Sequence, residues 1–174
     1  MTGFDVNSPK LVMINETGEW KKDEGRVSIS DGRVVIAAGG PLYGVQLIYE
    51  TAFERGARFF GDAWERGYGD LEWRGLIAER LMPWYMQGDE GGRQSFVGVM
   101  TGPAAFAGIR AAARSVTVDI DARSCGGPVR LEGRALEACT LVAEFNHEGP
   151  AFQFQRTMLK RLCPAAKLAK EPVY

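Results

Sequence analysis

The residues best suited to chemistry in this chain lie in one stretch, Asp62 to Gly75, which reads Asp-Ala-Trp-Glu-Arg-Gly-Tyr-Gly-Asp-Leu-Glu-Trp-Arg-Gly. It holds Trp64 and Trp73, with Tyr68 between them. Four acids (Asp62, Glu65, Asp70, Glu72) and two arginines (Arg66, Arg74) are interleaved with the rings. Flat rings suit the C–H faces of sugars, while carboxylates accept and guanidinium groups donate hydrogen bonds to sugar hydroxyls. Asp62, Trp64, Glu65, Arg66, Tyr68 and Trp73 are therefore the candidate residues for binding a carbohydrate. Two readings stay open for the acids. A pair of carboxylates flanking a glycosidic bond is the equipment of a glycosidase. Acids beside arginines in a glycine-rich loop also form ion pairs that merely tie the loop down. The tryptophans divide the same way, between a binding rim and burial in the interior.

Little else in the chain competes for a catalytic role. His147 is the only histidine, so a Ser-His-Asp or Cys-His arrangement would have to use it. Its setting, Asn-His-Glu-Gly-Pro just before a helical pattern, fits a capping or solvent-facing role instead. The three cysteines, Cys125, Cys139 and Cys163, are far apart and odd in number. That is the pattern of reduced thiols in a cytoplasmic protein, and it lacks the close ligand pairs of a zinc site. No glycine loop has the spacing needed to cradle a phosphate ahead of a helix. No metal, no cofactor and no catalytic residue is assigned. A net charge of −1 argues against nucleic acid or an anionic membrane as partner. No apolar run approaches the roughly 20 residues of a membrane helix, and the first ten residues lack the pattern of a signal peptide.

The elements that must position the central stretch are read from alternation and turn chemistry. The 22 glycines favour many turns between short strands. Lys10–Asn15 is a first strand, and Glu16–Gly25 a polar turn holding Trp20 as a loop anchor or an exposed contact. Arg26–Ser30 and Val34–Ala38 flank Asp31-Gly32, the strongest short hairpin signal. Val45, Leu47 and Tyr49 alternate with polar neighbours, as does Val116, Val118 and Ile120. Arg58–Gly61 delivers the chain to the central stretch, which is expected to be a long shaped loop. Glu79–Gln87 reads as an edge strand or bulge because Pro83 cannot donate to a ladder, and its Trp84 is expected in the core. Further strands are expected at Gln94–Thr101, Ala104–Arg110, Val129–Glu132 and Cys139–Phe145, with a loop at Arg123–Pro128. After Gly149-Pro150, residues Phe154, Met158 and Leu162 recur every four positions, so one helix is expected there.

The fold class that follows is all-β, a mostly antiparallel β-sandwich with one C-terminal helix. One domain is expected over residues 1–163, including the helix at 150–163, with 164–174 as a linker. The chain is too short for an α/β barrel, which needs about 250 residues.

The run from Asp62 to Trp73, followed by Met82-Pro83-Trp84-Tyr85, resembles the amino-terminal region of α-galactosidase-like glycoside hydrolases of the melibiase and raffinose-synthase type, glycoside hydrolase family 36 and its relatives. Thr101-Gly102-Pro103-Ala104-Ala105-Phe106 and the span from Cys163-Pro164 to Pro172-Val173-Tyr174 also fit. The resemblance covers Val34 to Tyr174. It implies a β-supersandwich preceding a catalytic barrel in a retaining enzyme, with the two catalytic aspartates on the barrel and outside this chain. It further implies that a tryptophan-bearing loop, matched here at Trp64, walls the pocket for the terminal sugar. The expected function is then a non-catalytic module with two partners, the enzyme's own barrel and an α-galactoside or related oligosaccharide, in the cytoplasm. Self-association is compatible with the sequence. The alternatives are a stand-alone carbohydrate-binding module using Trp64, Tyr68 and Trp73, and a small ligand-binding β protein or enzyme unrelated to sugars.

Overall fold

A computed structural model describes residues 4–61 and 72–164. In chain order the strands are β1 (Leu11–Asn15), β2 (Trp20–Lys22), β3 (Val27–Ser30), β4 (Arg33–Ala37), β5 (Pro41–Leu42), β6 (Gly44–Glu50), β7 (Arg58–Gly61), β8 (Arg74–Gly75), β9 (Met82–Pro83), β10 (Tyr85–Glu90), β11 (Arg93–Val99), β12 (Phe106–Ala112), β13 (Ser115–Asp121), β14 (Val129–Arg130) and β15 (Ala135–Glu148). The helix α1 (Ala151–Leu162) follows them.

Alternating side chains sort these strands into two antiparallel sheets. One has the order β2-β1-β6-β13-β12-β9 and the other β3-β4-β15-β11-β10-β7-β8, while β5 and β14 pair separately. Val45, Leu47 and Tyr49 on β6 and Val116, Val118 and Ile120 on β13 point inward and are buried. They meet Val34, Ile36, Phe59, Met86, Val97 and Leu141 of the other sheet in one continuous core. The expected all-β sandwich with a single C-terminal helix is the observed architecture.

Two-residue turns set the registers. Asp31 and Gly32 have φ of 51° and 75°, and Gly91 and Gly92 have φ of 71° and 101°, so both hairpins take the left-handed turns that match strand twist. Gly32 has a second reason to lack a side chain, because a Cβ there would run into the carbonyl oxygen of Leu141. Pro83 sits in β9 at the edge of the six-stranded sheet, where its missing N–H costs nothing.

Four local expectations need correction. Residues 20–22, read as part of a polar turn, form β2 on the edge of the six-stranded sheet, paired with β1. Arg74 and Gly75, read as the end of the central loop, form β8 against Arg58 and Phe59. His147 is not a helix cap but a residue of β15, a strand that begins four residues earlier and ends three later than alternation suggests. Trp84 lies outside the core, 39% exposed with φ of 66°. It is the corner at which the chain changes sheets: its N–H donates to the Ala107 carbonyl in one sheet and its carbonyl accepts from the Val99 N–H in the other. The left-handed turn takes Trp84 alone out of the alternation, so Met82 and Met86 both stay buried while the indole points out against Phe106, edge-to-face at 5.2 Å.

The helix packs on the outer face of the seven-stranded sheet. Phe154, Met158 and Leu162 form the buried stripe, set on Phe96 with Tyr85 and Val142 beside it. Gly98 makes room for this docking, since a Cβ there would stand 2.7 Å from Leu162 Cδ1. None of the helices among the described residues is long and apolar enough to cross a membrane.

Candidate functional site

Of the six residues picked out for sugar binding, Asp62, Trp64, Glu65, Arg66 and Tyr68 lie outside the described residues. Trp73 lies within them, and its position follows from the pairing of β7 with β8. Along β7, Phe59 points into the core and Phe60 points out. Trp73, just before β8, packs beside Phe60 with ring centroids 5.6 Å apart. Arg58 reaches over the indole, its guanidinium carbon 5.9 Å from the ring centroid, within cation–π range. Phe60 in turn neighbours Tyr85 at 6.5 Å, and Tyr85 stacks on Phe96 at 5.8 Å. The outer face of this sheet therefore carries a row of rings from Trp73 to the helix. The helix covers its Phe96 end, while Tyr85, Phe60 and Trp73 stay half-buried. Gly61, the last described residue before the central stretch, is held close by necessity: a Cβ would be 2.7 Å from both Met82 Cγ and the Tyr85 carbonyl oxygen.

The acids and arginines around Trp73 behave as ion pairs. Arg74 Nε donates to Glu72 Oε1 at 2.7 Å, and Arg58 Nη2 to Asp89 Oδ2 at 3.1 Å. Partial burial alone would raise the Asp89 carboxyl, but hydrogen bonds from the Gly92 N–H, Arg58 and Gln94 outweigh it and hold the group below the usual aspartate value. Both carboxylates are thus committed to ion pairs with neighbouring arginines.

The six-stranded sheet carries a second feature, missed in the sequence. Its outer face has a groove of about 430 Å³ walled by Trp20, Tyr43, Phe106 and Leu81. Asp119 and Asp121, alternate residues of β13, lie along it, each clasped by an arginine. Arg110 donates from Nε and Nη2 to Asp119, both at 2.8 Å, and Gln46 Nε2 adds a third bond at 2.8 Å. Arg123 donates from Nε and Nη2 to Asp121, the shortest at 2.6 Å, and its backbone N–H adds another. These bonds from Arg123 outweigh partial burial and keep the Asp121 carboxyl below its ordinary range. A carboxylate held so firmly ionised accepts hydrogen bonds well and makes a poor general acid. The alternation of Thr117 and Asp119 with Val116, Val118 and Ile120 marks the solvent face of a strand in the sequence, and the structure extends that strand to Asp121. What could not be seen was that Trp20, from a stretch read as a turn, lies across that face.

Among the described residues, no three His, Cys, Asp or Glu side chains gather in a way that could hold a metal ion. His147 stacks on Phe154 at 4.4 Å and bonds to Glu144 through Nδ1, which places it in the seam between helix and sheet. No family model, curated protein or solved structure matches the chain.

Proposed function

We propose that this chain is the non-catalytic β-sandwich module of an α-galactosidase-like glycoside hydrolase, which packs on a catalytic barrel and brings the Asp62–Gly75 stretch, with Trp64 foremost, to the sugar pocket. The observation that carries this reading is the seat of Trp73. A half-buried indole resting on Phe60, with Arg58 over its face, is a rigid base from which an aromatic-rich segment can be presented. The antiparallel β-sandwich is also compatible with the β-supersandwich that the sequence resemblance implies. The glycosidase reading of the acids is not favoured: of those described, Glu72 is paired with Arg74. A cytoplasmic location belongs to the same reading and draws support from Cys125, Cys139 and Cys163, none of which is in a disulfide.

The test uses the isolated chain and the complete product of its reading frame. The isolated chain should not hydrolyse a nitrophenyl α-galactoside, whereas the complete product should. In that product Trp64→Ala should lower kcat/KM by tenfold or more, about 1.4 kcal/mol of lost transition-state binding. Turnover by the isolated chain, or a reading frame without a barrel, overturns the proposal. A second reading, a free-standing carbohydrate-binding module, is favoured by the half-exposed ring row itself. It requires galactoside binding by the isolated chain that disappears in Trp73→Ala.

A further inference from the structure

Strand register builds the groove on the six-stranded sheet. Trp20 stands opposite Asn15, Asn15 opposite Gly44, Gly44 opposite Asp121, and Asp121 opposite Phe106. Five strands thus contribute one residue each to a single cross-strand row on the outer face. Gly44, at its middle, has no side chain, so the row is a trough with an indole at one end and a phenyl ring at the other. Trp20 leans inward over it: its Cη2 would be 3.6 Å from a Cβ on Gly44. From Gly44 to Phe106 is two strand spacings, about 10 Å, the width of one six-membered sugar ring with its hydroxyls. In the next row Asp119 stands opposite Gly108, another position without a side chain, where Leu81 fills the space.

The trough is held in shape before any ligand arrives. Asn15 accepts a hydrogen bond from the Gly18 N–H, which fixes the β1–β2 turn and so the approach of Trp20. The bidentate arginine pairs fix both aspartates. Arg110 spends two of its N–H groups on Asp119, and the guanidinium carries five. The others have no partner among the described residues, so donors and acceptors lie side by side.

The chemistry of this lining selects a ligand class. Its ionised groups are Glu79, Asp119 and Asp121 against Arg110 and Arg123, a balance of −1, which repels phosphates and other anions. A cation finds both aspartates already neutralised by arginine and only the single carboxylate of Glu79 besides. A neutral molecule with an apolar C–H face and a rim of hydroxyls satisfies every part: the face stacks on the exposed Trp20, and the hydroxyls donate to the aspartates while accepting from the arginines. The volume of about 430 Å³ falls within the roughly 300–1,000 Å³ of small-molecule sites. We infer that this groove is a binding site for a neutral pyranose sugar, formed by Trp20, Phe106 and the Asp119–Arg110 and Asp121–Arg123 pairs. It lies on the opposite sheet from Trp73 and does not rest on the reading of the chain as a hydrolase module.

The test is titration of the whole chain with galactose, glucose and mannose, followed by saturation-transfer NMR and by chemical shifts of the tryptophan indole N–H groups. At least one sugar should bind in the millimolar range typical of a single exposed ring, about −4 kcal/mol. Trp20→Ala should weaken it by fivefold to tenfold, the loss of one stacking contact. Arg123→Ala should weaken it about threefold. Both side chains are exposed, so neither variant should disturb folding. Trp73→Ala should leave this binding unchanged. Loss of binding in Trp73→Ala but not in Trp20→Ala would move the sugar to the ring row, supporting a rim there and overturning the groove site. Absence of saturation by all three sugars, or preferential binding of inorganic phosphate or adenosine, also overturns it.

Discussion

Two phenylalanines two residues apart on α1 give a sharp test of how the helix is held. Phe154 is 2% exposed, edge-to-face with Phe96 at 6.3 Å and stacked on His147 at 4.4 Å. Phe152 is 73% exposed. Truncating Phe154 to alanine returns about 150 Å² of apolar surface to water or to a void, which at ~25 cal/mol per Å² is about 4 kcal/mol. Measured Phe→Ala costs in cores, roughly 3–5 kcal/mol, bracket the same figure. Undocking of the helix in place of cavity formation sets the lower end. Phe152→Ala should change stability by less than about 0.5 kcal/mol. Urea unfolding followed by far-ultraviolet circular dichroism measures both, and for a domain of this size the Phe154 variant should also melt about 8–16 °C lower. Equal losses in the two variants would refute the reasoning. They would mean that the outward face of α1 is covered in solution, by a second copy of the chain, and that the stripe on Phe96 is not what fixes the helix.

Two further outcomes follow from ionisation and burial. Asp5, Glu16, Asp89 and Asp121 all have carboxyls lowered by hydrogen bonding, from ordinary values of 3.8 for aspartate and 4.5 for glutamate. The unfolded chain therefore takes up protons first on acidification, so their stabilisation is intact above pH 4.5 and is lost as pH falls through 3.8 and below; a urea midpoint that rises between pH 5 and pH 3 would contradict this. Burial pushes the Cys139 thiol up to about 12, while Cys125 is exposed and Cys163 half-buried. An aromatic disulfide reagent at neutral pH should thus titrate Cys125 quickly, Cys163 more slowly and Cys139 only after denaturation, and rapid native modification of Cys139 would show that the sandwich opens there.

What the sequence disclosed is what local rules encode. Asp31-Gly32 demands positive φ at two successive residues, so that hairpin is decided by its own four residues. The four-residue recurrence of Phe154, Met158 and Leu162 marks the helix, because a strand would put the charged Arg156 and Lys160 on the same face as those three. Pro83 announces an edge for want of an N–H. The misses share a different cause. Trp20–Lys22 has no alternation and is exposed throughout, so nothing within it says strand; only β1 beside it makes it one. Glu79–Gln87 reads as an edge strand or a bulge with Trp84 inward, but the left-handed turn that puts Trp84 outside is held by hydrogen bonds to Ala107 and Val99, more than ten residues away. The groove is the extreme case, since its row joins residues 20, 15, 44, 121 and 106 through four separate pairings. Side-chain type at each position is plain in the sequence, and their adjacency is not.

The same contrast explains why the two outer faces of the sandwich differ. A sheet that buries one face on its partner must still account for the other. The seven-stranded sheet places Phe96, Tyr85 and Phe60 outward, too much apolar surface for water, and α1 covers only the Phe96 end. Beyond the helix the row continues to Phe60, where Trp73 packs beside it and Gly61 is held close to Met82 and Tyr85. The six-stranded sheet has less need of such cover, because its outward residues include Gln46, Asp119 and Arg110, joined in cross-strand hydrogen bonds, and Asp121, paired with Arg123. A face whose charged groups are already paired and which is interrupted by Gly44 and Gly108 has less use for a helix, and the depression beside Trp20 is where the inferred sugar site lies.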